Sequence, residues 1–208
     1  MKPIPYLAVF ALLVFGLSSC VTPSGEIQAG RRDLLYGDPN RAVVHFENAA
    51  AASPNGLYFS TLPEGSWTYV GRAYYASGRL PEARQALERA VARSSDDSLA
   101  RLYLGLTLAR AGDRQGALRE IESGLRGIHD WLDYVEYRLP YTYGLYWDPR
   151  KEIRAEIAVD LAMISGGADW PRLIASSEWV GRQMEEEIDR ARWDEREDHR
   201  RDSEGKQP

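Results

Sequence analysis

Hydrophobic positions divide the chain into a leading apolar stretch and a body with helical spacing. Residues Ile4 to Leu17 are almost uninterruptedly apolar, but a helix that spans a bilayer needs roughly 20 such residues. In the body, apolar residues recur three, four or seven positions apart, which is the spacing of one helix face. The clearest example is the set Leu173, Val180, Met184 and Ile188. The pattern therefore predicts an all-α body behind a short apolar leader.

The body repeats itself with a period of 34 residues, which indicates a stack of helical hairpins. Gly71 and Gly105 are one period apart, and so are Ala83 and Ala117. An earlier copy is displaced by 41 residues, which implies an insertion of seven residues at 57–63. The copies place repeats at about 23–56, 64–97 and 98–131. Another all-α bundle with chance periodicity is the alternative.

The repeated positions are those at which two antiparallel helices pack. Small residues allow the two backbones to approach, and large residues fill the space beside them. The predicted packing set is Gly30, Ala42, Phe46, Trp67, Gly71, Tyr74, Ala83, Leu87, Gly105, Ala117 and Ile121. Gly37, Gly78 and Gly112 follow the first helix of each copy, where a left-handed cap is favoured. Repeat one is the most divergent, because Glu26 and Asp33 replace the large residues Trp67 and Tyr74 of repeat two.

The middle copy resembles the tetratricopeptide repeat (TPR), with Trp67, Gly71, Tyr74, Ala83 and Leu87 at the consensus spacing. The resemblance implies a short right-handed solenoid of about three helical hairpins, with extra C-terminal helices that cap it. It also implies that the first helix of each repeat lines a concave groove, which binds a peptide or a helix of another protein. The groove candidates are Arg31, Tyr69, Arg72, Tyr75, Tyr103, Leu106 and Arg110.

After Leu132 the period is lost, and residues 132–184 are predicted to form capping helices. We expect Asp130 to cap a short helix, a second helix to run from Asp148 to about Ser165, and a last one to start at Asp169. Residues 185–208 are predicted to form a charged helical or disordered tail, with residues 185–187 on a solvated helix. This tail is expected at the end of the solenoid remote from the leader.

Seven aromatic residues crowd into positions 131–147: Trp131, Tyr134, Tyr137, Tyr141, Tyr143, Tyr146 and Trp147. Exposed Tyr and Trp side chains are typical of binding hot spots, and they would also suit stacking against a glycan. The alternative is that they pack the capping helices against repeat three.

The leader has a positive residue, an apolar segment and the sequence Leu17-Ser18-Ser19-Cys20, the order of a secretory signal peptide. Its end resembles the lipobox of bacterial lipoproteins. That resemblance implies cleavage of residues 1–19, acylation of Cys20 with chains such as palmitate, and a short linker over 20–25. Val21 stands where many inner-membrane lipoproteins have Asp, which implies the periplasmic face of the outer membrane. An ordinary signal peptide with an incidental cysteine is the alternative.

The sequence does not point to catalysis. It has no phosphate-binding loop or nucleophile elbow, and its three histidines do not form a metal-ligating helical pair. We therefore predict no enzyme activity, no metal and no cofactor. The net charge of −5 with few lysines argues against nucleic acid as a partner.

These inferences together predict a membrane-anchored periplasmic adaptor that binds envelope proteins or peptides. The processes served would be envelope assembly, secretion or cell-wall remodelling. Two alternatives stay open: a glycan- or peptidoglycan-binding accessory that uses residues 131–147, and a structural subunit of a larger envelope complex.

Overall fold

A computed structural model describes residues 22–56, 64–138 and 146–204. The leader with Cys20, the proposed insertion 57–63, and Tyr141 and Tyr143 lie outside these residues. The regular elements in the described ranges are eight α-helices, which confirms the all-α prediction. They are α1 (Pro23–Leu35), α2 (Pro39–Ala52), α3 (Ser66–Ala76), α4 (Leu80–Arg93), α5 (Ser98–Arg110), α6 (Arg114–Arg138), α7 (Glu152–Gly166) and α8 (Trp170–Glu204).

The first six helices form three stacked hairpins in chain order. Helix α1 packs on α2, α3 on α4 and α5 on α6, while α2 contacts α3 and α4 contacts α5. This nearest-neighbour stacking is the arrangement of a TPR-like helical solenoid. Among the described residues, none of the helices combines the length and the apolar character that a membrane-spanning helix requires.

One glycine contact recurs in every hairpin and explains the sequence period. An ideal Cβ placed on Gly71 would lie 2.4 Å from Leu87 Cγ, far inside the normal carbon–carbon contact distance. The hairpins can therefore close only where the first helix has no side chain. The same contact occurs in the pairs Gly30–Phe46, Gly71–Leu87 and Gly105–Ile121.

The turns within the hairpins have the predicted left-handed caps. Gly37, Gly78 and Gly112 have φ values of +81°, +75° and +90°, which glycine adopts without the strain that a Cβ would introduce. Asp38 follows the first of these glycines, and its carboxylate accepts a hydrogen bond of 3.1 Å from the backbone N–H of Arg41. Local chemistry therefore ends one helix and starts the next.

Repeat one is a complete hairpin in which polar contacts replace aromatic packing. The ring of His45 lies between Glu26 and Asp33, with nitrogen–oxygen distances of 2.5 and 3.5 Å. Repeat three has an ion pair at the position equivalent to Glu26 and His45, where Arg101 lies 3.1 Å from Glu120. The polar residues of repeat one are thus compatible with the hairpin because they find partners across it.

Two predicted helix starts are wrong. Asp130 does not cap a helix; it lies inside α6, which runs unbroken to Arg138 because Ile128, Leu132 and Val135 continue its buried face. The helix expected at Asp148 starts instead at Glu152.

The delayed start of α7 follows from the backbone before it. Asp148 and Lys151 adopt positive φ values of 44° and 58°, so the helix cannot start between them. The carboxylate of Asp148 nevertheless accepts hydrogen bonds of 3.0 and 3.1 Å from the N–H groups of Ile153 and Arg154. Asp148 lies outside the helix, but its side chain therefore accepts hydrogen bonds from backbone N–H groups in the first turn of α7.

Helix α8 is continuous across the boundary at which the sequence predicted a solvated tail. Its apolar stripe Leu173, Val180, Met184 and Ile188 is buried as expected. The expectation of a solvated helix at 185–187 is wrong for two of the three residues: Glu185 and Glu187 are only 6% and 3% exposed, whereas Glu186 is exposed. Buried carboxylates need partners, and the partners of Glu185 lie in the repeats.

Candidate functional site: a concave groove occupied by helix α8

The sequence-predicted groove residues come together on α1, α3 and α5, but they do not form an open surface. Helix α8 lies across them. Consequently Arg31, Tyr69, Arg72, Tyr75, Tyr103 and Leu106 are buried, and Arg110 alone among the seven candidates keeps a substantially exposed side chain, at 39%.

Glu185 of α8 is the central contact. Its carboxylate pairs with the Nε of Arg31 on α1 and lies 2.5 Å from the Nη2 of Arg72 on α3. One turn further along α8, Asp189 Oδ1 lies 2.9 Å from Arg31 Nη2. A single helix thus connects the arginines of the first two repeats.

A second buried carboxylate, Glu64, completes the network from the other side. Its Oε1 lies 3.0 Å from Arg72 Nη1, and its Oε2 accepts a hydrogen bond of 2.5 Å from the hydroxyl of Tyr69. The guanidinium of Arg72 also lies 5.5 and 5.1 Å from the ring centroids of Tyr69 and Tyr103, within the range of cation–π attraction. Two arginines and two glutamates therefore lie together with side chains that are at most 8% exposed.

Burial and charge oppose each other in this network. Burial acts to raise the pKa of Glu185, but Arg72 and Arg31 outweigh it and hold that pKa below its usual value. Burial raises the pKa of Glu64 to about 7. The positive charge of Arg72 acts to lower this pKa, and the negative charge of Glu185 acts to raise it. Burial also acts to lower the pKa of Arg72, yet Glu185 and its other neighbours hold it well above the ordinary value. Glu185 is thus the carboxylate that stays charged.

Glu178 forms a second polar contact two turns earlier on α8. It accepts a hydrogen bond from the hydroxyl of Tyr75 and lies 2.5 Å from Arg110 Nη2. Arg110 also lies over the Tyr75 ring, 4.2 Å from its centroid. Because Glu178 and Glu185 are seven residues apart, they lie on one face of α8.

Between these two carboxylates the groove requires a residue without a side chain. An ideal Cβ on Gly181 would lie 2.7 Å from the hydroxyl oxygen of Tyr103. The concave surface is therefore matched to α8 in shape as well as in charge.

The contacts also give the direction of α8. It passes α5 at Gly181, α3 at Glu185 and α1 at Asp189, so it runs back over the repeats from the third to the first. The charged end of the helix thus leaves the groove at repeat one. The prediction that the charged tail lies at the far end of the solenoid is wrong, because a helix seated in the groove returns along the stack to repeat one.

The burial of α8 makes it a permanent part of the fold. Four apolar side chains of its stripe are fully excluded from water, and the burial of each stabilises the folded state by about 1.5–3 kcal/mol.

What stays accessible is a cleft of about 360 Å³ at the margin of α8. It is bounded by Leu34, Leu35, Tyr75, Arg110, Glu178 and Arg182. The side chain of Leu35 is 53% exposed at its edge.

The aromatic segment combines packing and exposure. Trp131 and Trp147 meet edge to face with their ring centroids 4.6 Å apart, and Trp147 is only 6% exposed. Tyr146 is partly buried against the core. Tyr134 and Tyr137 lie on the last turns of α6 and are 56% and 78% exposed. Trp147 and Tyr146 therefore fit the packing interpretation of this segment, and Tyr134 and Tyr137 fit the binding interpretation.

Sequence reasoning missed the acidic half of the groove: Glu64, Glu178 and Glu185. One signal was present. Arg31 and Arg72 occupy equivalent positions of repeats one and two, and two inward-facing arginines require carboxylates. Within the described ranges, no cluster of His, Cys, Asp and Glu side chains has the arrangement of a metal site.

Comparison with known families gives one match. The profile of the tetratricopeptide repeat matches residues 64–107, which comprise α3, α4 and most of α5. No curated protein and no solved structure matches the chain significantly. The profile match and the stacked hairpins support a protein of the TPR type, a class of helical scaffold that mediates protein–protein interaction.

Proposed function

We propose that this TPR-type chain is a lipid-anchored adaptor of the bacterial envelope, which holds other envelope proteins at the periplasmic face of the outer membrane. The processes it serves would be envelope assembly, secretion or cell-wall remodelling. The anchor is inferred from Leu17-Ser18-Ser19-Cys20, and the binding of proteins from the TPR-type repeats.

The observation that carries the proposal is the cleft at the margin of α8. It places the exposed apolar side chain of Leu35 beside the cationic groups of Arg110 and Arg182. Apolar contact area next to a charged rim is the composition of protein-binding surfaces. Because α8 occupies the centre of the groove, the proposed partner binds at this margin.

Site-specific crosslinking in living cells tests the surface. A photoreactive amino acid at Leu35 should capture discrete envelope proteins. The matched control is Val44 on α2, which is equally apolar and 57% exposed but does not line the cleft. Equal capture at both positions, or capture at neither, would overturn the proposed surface.

The anchor is tested separately. Cells labelled with palmitate should incorporate the label into the wild-type chain and not into the Cys20→Ala variant. Membrane fractionation should find the wild-type chain in the outer membrane and the Val21→Asp variant in the inner membrane. An unlabelled wild-type chain would refute lipidation, and the crosslinking result would still stand by itself.

A further inference from the structure

A second cavity lies outside the groove, between the connection from α4 to α5 and one face of α6. Its volume is about 320 Å³, which lies within the range of small-ligand sites. Hydroxyl and carboxylate groups form much of its wall: Ser95, Asp96, Ser98 and Ser123. Ser95, Asp96 and Ser123 are exposed, so the cavity opens to solvent.

The other wall is a continuous stripe along α6. Ser123, Gly127 and Trp131 line the cavity at intervals of four residues, and Tyr134 follows one turn later on the same face. Gly127 allows α6 to approach the start of α5 at the base of the cavity, because an ideal Cβ there would lie 2.1 Å from Ser98 Oγ. The Trp131 ring thus lines an open hollow whose wall is part polar and part apolar, and Tyr134 follows it along α6.

The ring of Trp131 packs against the ring of Trp147. The two ring planes meet at 85°. Trp147 precedes Asp148, which pairs with the buried Arg154 at 3.0 Å. The Trp131 ring therefore packs against a turn that an ion pair ties to α7, a support of the kind that orients a binding side chain.

The charges at this cavity do not favour a phosphate. Arg101 is the cation that lines it, and its guanidinium is already compensated by Glu120 at 3.1 Å and donates from Nε to the backbone oxygen of Ser95 at 3.0 Å. The hydroxyl groups and the Asp96 carboxylate instead suit a ligand with many hydroxyl groups. An aromatic wall suits a ligand that also has an apolar C–H face.

We propose that this cavity binds an uncharged sugar unit of a glycan chain, with Trp131 and Tyr134 against the faces of successive sugar rings and the serines and Asp96 on their hydroxyl groups. The site is separate from the cleft at Leu35. It would give the adaptor a second contact, with a polysaccharide.

Isothermal titration of the purified full chain in detergent with tetra-N-acetylchitotetraose and with cellotetraose tests the proposal. The two probes separate recognition of the acetamido group from recognition of the bare sugar ring, and binding of either supports a sugar site. The Tyr134→Ala variant should bind the sugar roughly threefold to tenfold more weakly. The Ser123→Arg variant, which places a long side chain over the opening, should lose the heat of binding.

The control is Tyr36→Ala, which removes a highly exposed tyrosine at the C-terminal end of α1 that does not line the cavity and should leave binding unchanged. Thermal unfolding of each variant separates loss of the site from loss of the fold; Trp131 is left intact because its packing against Trp147 supports the turn. Absence of heat with both sugars, or equal losses in the Tyr134 and Tyr36 variants, would overturn the proposal.

Discussion

Arg31 and Glu185 lie 154 positions apart in the chain and form an ion pair whose side chains are only 2% and 8% exposed. The pair joins the first repeat to the last helix. Because Arg72 binds the same carboxylate, one residue of α8 fixes two repeats relative to each other. A groove that would be a binding surface in an open solenoid is thereby part of the core.

Removing the charge of Glu185 should destabilise the protein strongly. Glu185→Gln leaves Arg31 and Arg72 buried with their charges only partly compensated, and breaking a buried pair costs about 3–5 kcal/mol. Denaturant unfolding should show a loss of this size in the free energy of unfolding. The neighbouring exposed Glu186, changed to Gln, should alter it by less than about 0.5 kcal/mol; similar losses in both variants would contradict the role of Glu185.

The glycine contact inside each hairpin should tolerate no side chain. Gly71→Ala forces a methyl group against Leu87, and overpacking of this kind costs about 1–3 kcal/mol. The control is Gly166→Ala in the last turn of α7, where nothing lies within 4 Å of the added Cβ and alanine favours the helix. Thermal unfolding should therefore show a lower Tm for the first variant and an unchanged or higher Tm for the second.

Shortening α8 should separate its structural part from its charged end. Ile188 and Asp189 make the last contacts with the repeats that the described side chains show. A chain that stops after Arg190 should keep the wild-type Tm. A chain that stops after Gly167 exposes the tyrosine rings and apolar side chains that α8 covers, and it should bind a hydrophobic dye and be cleaved rapidly by protease. An unchanged Tm in this second chain would show that α8 is dispensable.

Asp160 should make stability depend on pH. Burial between α7 and α8 raises its pKa to about 6, although the hydroxyls of Ser176 and Ser177 favour the charged form. The folded protein therefore holds this proton more tightly than the unfolded chain, whose Asp pKa is near 3.9. The contribution of Asp160 is fully present below about pH 4 and is lost as the pH rises through about 6.

Unfolding measured from pH 4 to pH 7 for the wild type and for Asp160→Asn checks this sign. The difference in stability, wild type minus variant, should fall as the pH rises across this interval. Asp130→Asn on the solvent side of α6 serves as the control for the loss of one carboxylate. A difference that stays flat or increases with pH would be inconsistent with a proton bound at Asp160.

The hairpins were predictable because their determinants are close together in the sequence. Gly71 and Leu87 are 16 residues apart, and Gly78 needs only its own backbone conformation, so a period and a turn residue suffice. The helix face continued by Ile128, Leu132 and Val135 was equally local, but the end of the repeat period at residue 131 led to a false helix boundary.

The contents of the groove were not predictable in this way. The stripe from Leu173 to Ile188 indicates that α8 buries one face, but periodicity does not say against which surface. The long acidic and basic run after residue 184 also resembles a solvated tail, because charge is visible in the sequence and its compensation by Arg31 and Arg72 is not. Pairings across 154 positions depend on the tertiary structure.

The return of α8 to repeat one has a consequence for the order in which the protein folds. Repeat stacks ordinarily form from contacts between neighbours, and they can begin to fold before the chain is complete. Here Arg31 and Arg72 lack Glu185, the carboxylate that they share, until the last helix has been synthesised. The contacts of the first two repeats are therefore completed by the last residues of the chain. Contacts of such long range slow folding. In a cell, the incomplete chain would present this unfilled groove, with its uncovered tyrosine rings, to any chaperone or protease that meets it.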